Sequence, residues 1–190
     1  MRLLGFITMI ATAAPCLAQD GPIRTFGPSM VQVSPEYRSL QRNALAAQRR
    51  LLLKMADSMP EQVYRDRATP AQRDFAEQVL HVMSTSVSVI VAYGALPEAV
   101  PAPPDADTAT VLNTRAGMRS FILGTYEWLV LALDYQDVDN RNIMLELVGG
   151  RRMPRWQVWD ELNQHAWWTM GQVVANFRKN GMAPPSFQFF

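Results

Sequence analysis

Two histidines are present in the chain, and each lies in a polar stripe at helical spacing. Glu77, His81, Ser84 and Ser88 follow at steps of four, three and four; Glu161, His165, Thr169 and Gln172 follow at four, four and three. Residues three and four apart share one face of a helix, so each stripe projects a narrow row of polar groups from a mostly apolar segment. If the two helices face each other, the imidazoles can converge in the interior, where helical bundles build metal sites from inward side chains. Imidazole suits zinc, nickel, iron and copper, and a catalytic centre needs about three protein ligands with one position open. With two histidines, a third ligand would have to be Glu77, Glu161 or another carboxylate; the Thr169 hydroxyl would be a poor one. The alternative is that each histidine is simply hydrogen-bonded or at the surface.

The other reactive residue types carry weaker signals. Ser84 and Ser88 can bond back to the preceding helical turn, and no Ser-His-carboxylate constellation is legible. Trp156, Trp159, Trp167 and Trp168 are explained by core packing as well as by an aromatic ligand platform. Gly149-Gly150 before Arg151-Arg152 lacks phosphate-loop spacing and reads equally as an anion-binding pair or as a flexible turn with solvated charges.

These residues need elements to hold them. Leu40, Ala44, Ala47, Leu51 and Met55 recur every three or four residues, which predicts a first helix with Ser34 as cap, Pro35 in its first turn and Pro60 beyond its end. Thr69-Pro70 opens a second, with an apolar face of Phe75, Val79, Val82, Met83, Val87, Ile90 and Val91 ending near Tyr93-Gly94. Pro97, Pro101, Pro103 and Pro104 make residues 95–106 an extended crossover. A third helix is expected over residues 109–134 and a loop over 135–153, with a helical turn near 143–148. The fourth helix starts near Pro154 on a ridge of Val158, Leu162, Ala166, Met170, Val173 and Phe177, and Asn180-Gly181 with Pro184-Pro185 stops it. No stretch alternates well enough to predict a sheet. The expectation is an all-α four-helix bundle with a Pro-rich crossover between the second and third helices.

Composition bounds the function. The 190 residues, 48% hydrophobic, suit one domain with a sizeable core. Residues 1–18 read as a secretory signal peptide: Arg2, an apolar run over 3–14, and a small residue, Ala18, before Gln19-Asp20. That run is shorter than the ~20 residues a bilayer requires. Acylation of Cys16 is the alternative, against which stands Pro15 directly before it. Cleavage near Ala18 removes Arg2 and the lone cysteine, leaving 17 basic against 17 acidic residues. Neither nucleic-acid binding nor a transmembrane segment is expected, and the mature chain is placed in the periplasm or outside the cell. Residues 19–34 read as a flexible lead-in and 35–190 as the bundle domain. A homodimer is left open, and Phe187-Gln188-Phe189-Phe190 is expected to pack back on the bundle.

Three stretches resemble the DinB-like (damage-inducible-type) superfamily of four-helix bundles. They are Leu53-Lys54-Met55-Ala56-Asp57-Ser58-Met59-Pro60 with Tyr64 and Thr69-Pro70; Phe75-Ala76-Glu77-Gln78-Val79-Leu80-His81-Val82; and His165 through Gly171-Gln172, then Asn180-Gly181-Met182-Ala183-Pro184-Pro185. The resemblance spans about residues 36–187. It implies a divalent metal, nickel or zinc, held by three histidines, one on the second helix and two at H-x-x-x-H spacing on the fourth. His81 and His165 match two of these positions; the third falls on Thr169. It also implies metal-assisted hydrolysis or thiol transfer with mycothiol, bacillithiol or glutathione. The alternative is a non-catalytic bundle that binds a small molecule or a partner protein.

Overall fold

Four long segments with helical periodicity become helices, but their ends are set by local hydrogen bonds that periodicity does not reveal. The computed structural model describes residues 24–28, 34, 36–105, 107–136, 138–147 and 149–187. The proposed signal peptide lies outside these. Helix α1, Tyr37–Ser58, buries Leu45, Gln48, Leu51, Leu52, Met55 and Ala56. Of the expected stripe only Leu51 and Met55 are buried: Ala44 and Ala47 are half-buried and Leu40 is exposed, because the helix turns its Gln41–Leu45–Gln48 edge inward, where the two glutamines bond to the last helix. Val91, expected on the apolar face of the second helix, is exposed as well. Ser34 contributes its carbonyl to the Tyr37 amide, and no side chain caps the helix.

Helix α2, Phe75–Tyr93, begins later than Thr69-Pro70 suggested. Asp74 is its cap: the carboxylate accepts from the Glu77 amide at 2.8 Å, and the Glu77 carboxylate accepts from the Asp74 amide at 3.1 Å. This capping box satisfies two otherwise orphaned donors, while Thr69 is spent on a turn in which its carbonyl accepts from the Gln72 amide. The crossover expected over 95–106 has no helix or strand among its described residues, but it is not extended throughout: Ala95 sits at φ +48° and the Val100 amide donates to the Pro97 carbonyl in a turn. The Trp128 indole donates to the Pro101 carbonyl at 2.8 Å and holds the segment against the bundle.

The expected third helix is two: α3, Thr108–Asn113, and α4, Arg115–Tyr135. Thr114 adopts an extended conformation between them, and its hydroxyl accepts from the Gly117 amide at 3.0 Å, starting α4 afresh. Gly117 permits this break, since a Cβ there would collide with the Thr110 carbonyl.

The all-α expectation requires correction. After the short α5, Val138–Arg141, the region read as a loop with a helical turn contains strand β2, Ile143–Glu146. It pairs antiparallel with β1, Arg24–Pro28, and with β3, Arg152–Pro154, in the order β1-β2-β3. Residues 24–28 of the expected flexible lead-in are thus an edge strand, with Thr25 opposite Leu145 and Leu145 opposite Met153. Leu145 and Met153 are buried, so the sheet contributes to the core. Gly149 and Gly150, at φ +83° and +77°, turn the β2–β3 hairpin in a conformation that other residues rarely adopt.

Helix α6, Arg155–Lys179, packs on α2 and α1, and α4 packs on the same two helices, so the four long helices form a closed ring. Helices α2 and α6 run antiparallel: the Phe75 and Phe177 rings meet edge-on at 6.0 Å, and Gln78 donates to the Gln172 side chain at 2.6 Å one turn further along. Leu52, Met83, Ile122, Trp159 and Phe177 are fully buried between the helices. A polar ladder joins α1 to α6, with Tyr37 and Gln41 donating to Asp160 and Gln48 donating to Asn163. Among the described helices only α2 is long and apolar enough by length and composition to cross a membrane, and nearly half of it is buried here against its neighbours. Phe187 stacks on Trp167 at 4.7 Å, so the tail packs back at that residue; residues 188–190 lie outside the described chain.

Candidate functional site at the seam of the second and last helices

The antiparallel register of α2 on α6 carries Phe75 to Phe177, Gln78 to Gln172, and then His81 to His165. The two imidazoles meet edge to face, with centroids 5.1 Å apart and planes at 78°. Each histidine lies in its helix's polar stripe and at the contact between α2 and α6. Next to them Gln78 is fully buried and Thr169 nearly so, making the seam a polar strip within the core.

Each ring is anchored by a threonine one turn along its own helix. Thr85 Oγ1 lies 3.2 Å from His81 Nδ1, and Thr169 Oγ1 lies 3.4 Å from His165 Nε2. The remaining nitrogens are left over. His165 Nδ1 is buried without a hydrogen-bond partner, and His81 Nε2 has none among the described residues. Burial disfavours the imidazolium form of both. His81 is pushed down to about 4 by desolvation first, then by the Arg73 guanidinium and by His165. The His165 pKa is lowered by desolvation and by the same Arg73 charge. Both rings are therefore neutral at pH 7 and keep a nitrogen lone pair each.

The carboxylates of the two stripes are engaged elsewhere. Glu77 completes the α2 cap and pairs with Arg65 at 3.2 Å and Arg67 at 2.8 Å. Glu161 pairs with Arg151 at 2.8 Å. Ser84 is exposed and its hydroxyl bonds back to the His81 carbonyl at 3.5 Å, while Ser88 is exposed. The tryptophans do not form a platform. Trp159 is buried with its indole donating to Gln136, Trp156 meets Tyr37, Trp167 meets Phe187, and Trp168 faces outward. Arg151 and Arg152 are paired with Glu161 and Glu146, and Arg152 also lies over the Phe26 ring.

The donor chemistry tests the metal that the resemblance implies. Two imidazoles whose nitrogens each sit ~2.0–2.1 Å from one tetrahedral ion have centroids roughly 5 Å apart. The observed centroid separation of 5.1 Å equals that value, and the neutral rings each carry a lone pair. A third strong ligand is lacking: among the described residues no three His, Cys, Asp or Glu side chains converge. The position after His165 on its helix face holds only the Thr169 hydroxyl. The donor set comprises two imidazoles and does not fit a three-imidazole catalytic centre.

Sequence reasoning missed Arg73. It precedes the α2 cap, outside any periodic stripe, and only the folded chain brings its charge to both histidines. It also missed the Gln78–Gln172 bond, although Gln172 closes the second stripe.

The four long helices that carry this seam make up a fold with a solved counterpart. Among solved structures, the chain matches the crystal structure of a DinB-like protein from Bacillus cereus ATCC 10987 with a TM-score of 0.56. The match covers 78% of this chain and 95% of that one at 18% identity, which is a likeness of fold. No family model and no curated protein matches the chain.

Proposed function

We propose that this chain is an exported DinB-like protein whose α2–α6 seam holds a divalent metal ion, nickel or zinc, weakly through His81 and His165. The observation that carries the reading is the 5.1 Å contact between the imidazoles, contributed by helices far apart in sequence. His165 Nδ1, buried and unpartnered, and His81 Nε2 are the nitrogens available to an ion. Thr85 and Thr169 fix the ring orientations, as partners of ligating histidines commonly do. Thr169 supplies no imidazole and its hydroxyl is engaged with His165 Nε2, so affinity falls well below that of a three-histidine site. A divalent ion bound there supplies Lewis acidity, the chemistry that metal-assisted hydrolysis or thiol transfer requires. Export rests on residues 1–18, and the mature chain then starts at Gln19.

Elemental analysis of the purified mature protein, after dialysis against nickel or zinc, tests the metal reading. The expected result is bound metal that is lost in His81→Ala; metal at background in both samples refutes it. Amino-terminal sequencing of the exported fraction tests the start at Gln19.

A second reading, a non-catalytic bundle that binds a small molecule, is favoured by one observation. The Arg73 charge, which disfavours imidazolium, equally disfavours a dication between the rings.

A further inference from the structure

The seam between α1 and α4 lies across the ring of helices from the histidines. Its register is antiparallel: Arg42 pairs with Asp134, and the Tyr126 hydroxyl donates to the Gln48 side chain at 3.3 Å. Arg49, one residue past Gln48, therefore stands level with Glu127, one residue past Tyr126. Both line a groove of about 540 Å³. Among the described residues neither is in an ion pair or a hydrogen bond, in contrast to Arg42 at the other end of the same groove. The floor between the two ends is apolar. Leu45 is fully buried beneath it and Tyr126 nearly so, while Ala46 and Val130, each one turn from the charged level, form its sides. Seven residues of helical rise separate Arg49 from Arg42, a length of about 10 Å.

A cation and an anion that flank one groove at the same level, without closing on each other, match a ligand with both charges on neighbouring atoms. A carboxylate alone would leave the Glu127 charge facing it, and an amine alone would face Arg49; each like-charge encounter disfavours the singly charged ligand. In a peptide the two terminal charges lie too far apart to meet both residues at one level. A free amino acid satisfies both. Its carboxylate accepts from the Arg49 guanidinium, its ammonium donates to the Glu127 carboxylate, and both bonds are of the charge-assisted kind. Its side chain then runs over Ala46 and Val130 towards Asn43 and the Arg42–Asp134 pair, whose polar groups close the far end. We propose that the α1–α4 groove is a binding site for a free α-amino acid with an apolar side chain. The site uses neither histidine and is independent of the metal reading.

The test is isothermal titration calorimetry of the purified protein with L-leucine at neutral pH, where the ligand carries both charges. Saturable binding is expected. Affinity should fall about ten-fold or more in Arg49→Gln and in Glu127→Gln, the size of one charge-assisted bond, and stay unchanged in Arg50→Gln, which is exposed on α1 outside the groove. 4-Methylpentanoate and 3-methylbutylamine, which keep the side chain and one charge each, should bind more weakly than leucine by a similar factor. Circular dichroism melting confirms that the variants fold. Absence of saturable heat with leucine overturns the proposal, as does unchanged affinity in either Arg49→Gln or Glu127→Gln. A singly charged analogue that binds as tightly as leucine overturns the amino-acid assignment. His81→Ala should bind leucine as the wild type does, so this result and the metal result stand or fall separately.

Discussion

Acid should unfold this protein through its histidine pair. His81 titrates at about 4 in the folded chain against an ordinary value of 6.5. The unfolded state therefore binds more protons between these values, and stability falls as pH drops from 6.5 towards 4. It is fully present above 6.5. Between about pH 7.5 and about pH 4.5 the linkage relation yields roughly 2.5 kcal/mol for this one group, and partial exposure of the ring reduces that to on the order of 2 kcal/mol. His165 adds a contribution of the same sign, since its pKa is lowered too. Asp74 works the other way, its carboxyl raised chiefly by burial, so the wild-type profile is a sum and the His81 part must be isolated. Urea unfolding of wild type and His81→Phe at the two pH values does this. Wild type should lose on the order of 2 kcal/mol more than the variant on acidification. Equal losses would refute the reasoning, and so would a His81 titration midpoint at or above the ordinary histidine value in the folded protein.

Other expectations follow from the same geometry. Thr169→His places an imidazole one helical turn from His165, and nickel or zinc retained after dialysis should rise to near one per chain; retention no greater than wild type would contradict the site as described. Asp74→Ala removes the α2 capping box and should cost about 1–2 kcal/mol in urea unfolding. Trp159→Phe keeps the ring in the core but strands the Gln136 oxygen it serves, at a cost of about 1–3 kcal/mol in the same assay.

The expected ends of helices and the sheet were the least legible parts of the chain. Thr69-Pro70 is a legitimate start signal, but Asp74 and Glu77 satisfy each other's orphan donors four residues later, and reciprocal bonds outcompete a single cap. Residues 143–146 are too few for alternation to declare a strand. They become one because β1 and β3 supply partners on both sides, the first from more than a hundred residues away. The break at Thr114 falls inside residues 109–134, the range expected for a single helix.

What the sequence determined by itself was periodic. The apolar ridge of α6, most of that of α2 and the polar stripes through His81 and His165 are written at three- and four-residue spacing, and helix geometry converts that spacing into faces without help from the rest of the chain. For α1 the helix was legible but its buried face was not, since polar bonds from Gln41 and Gln48 to α6 turn it away from Leu40. The absence of an imidazole at position 169 is likewise a fact of sequence. What only the tertiary structure decided was meeting and availability. The antiparallel register of α2 on α6 brought the two rings to 5.1 Å, arginines from the 65–67 loop and the β2–β3 hairpin drew Glu77 and Glu161 away, and Arg73 arrived beside the seam. Spacing along one helix fixes which side chains share a face; which distant charge then claims each of them depends on contacts between segments that no local pattern records.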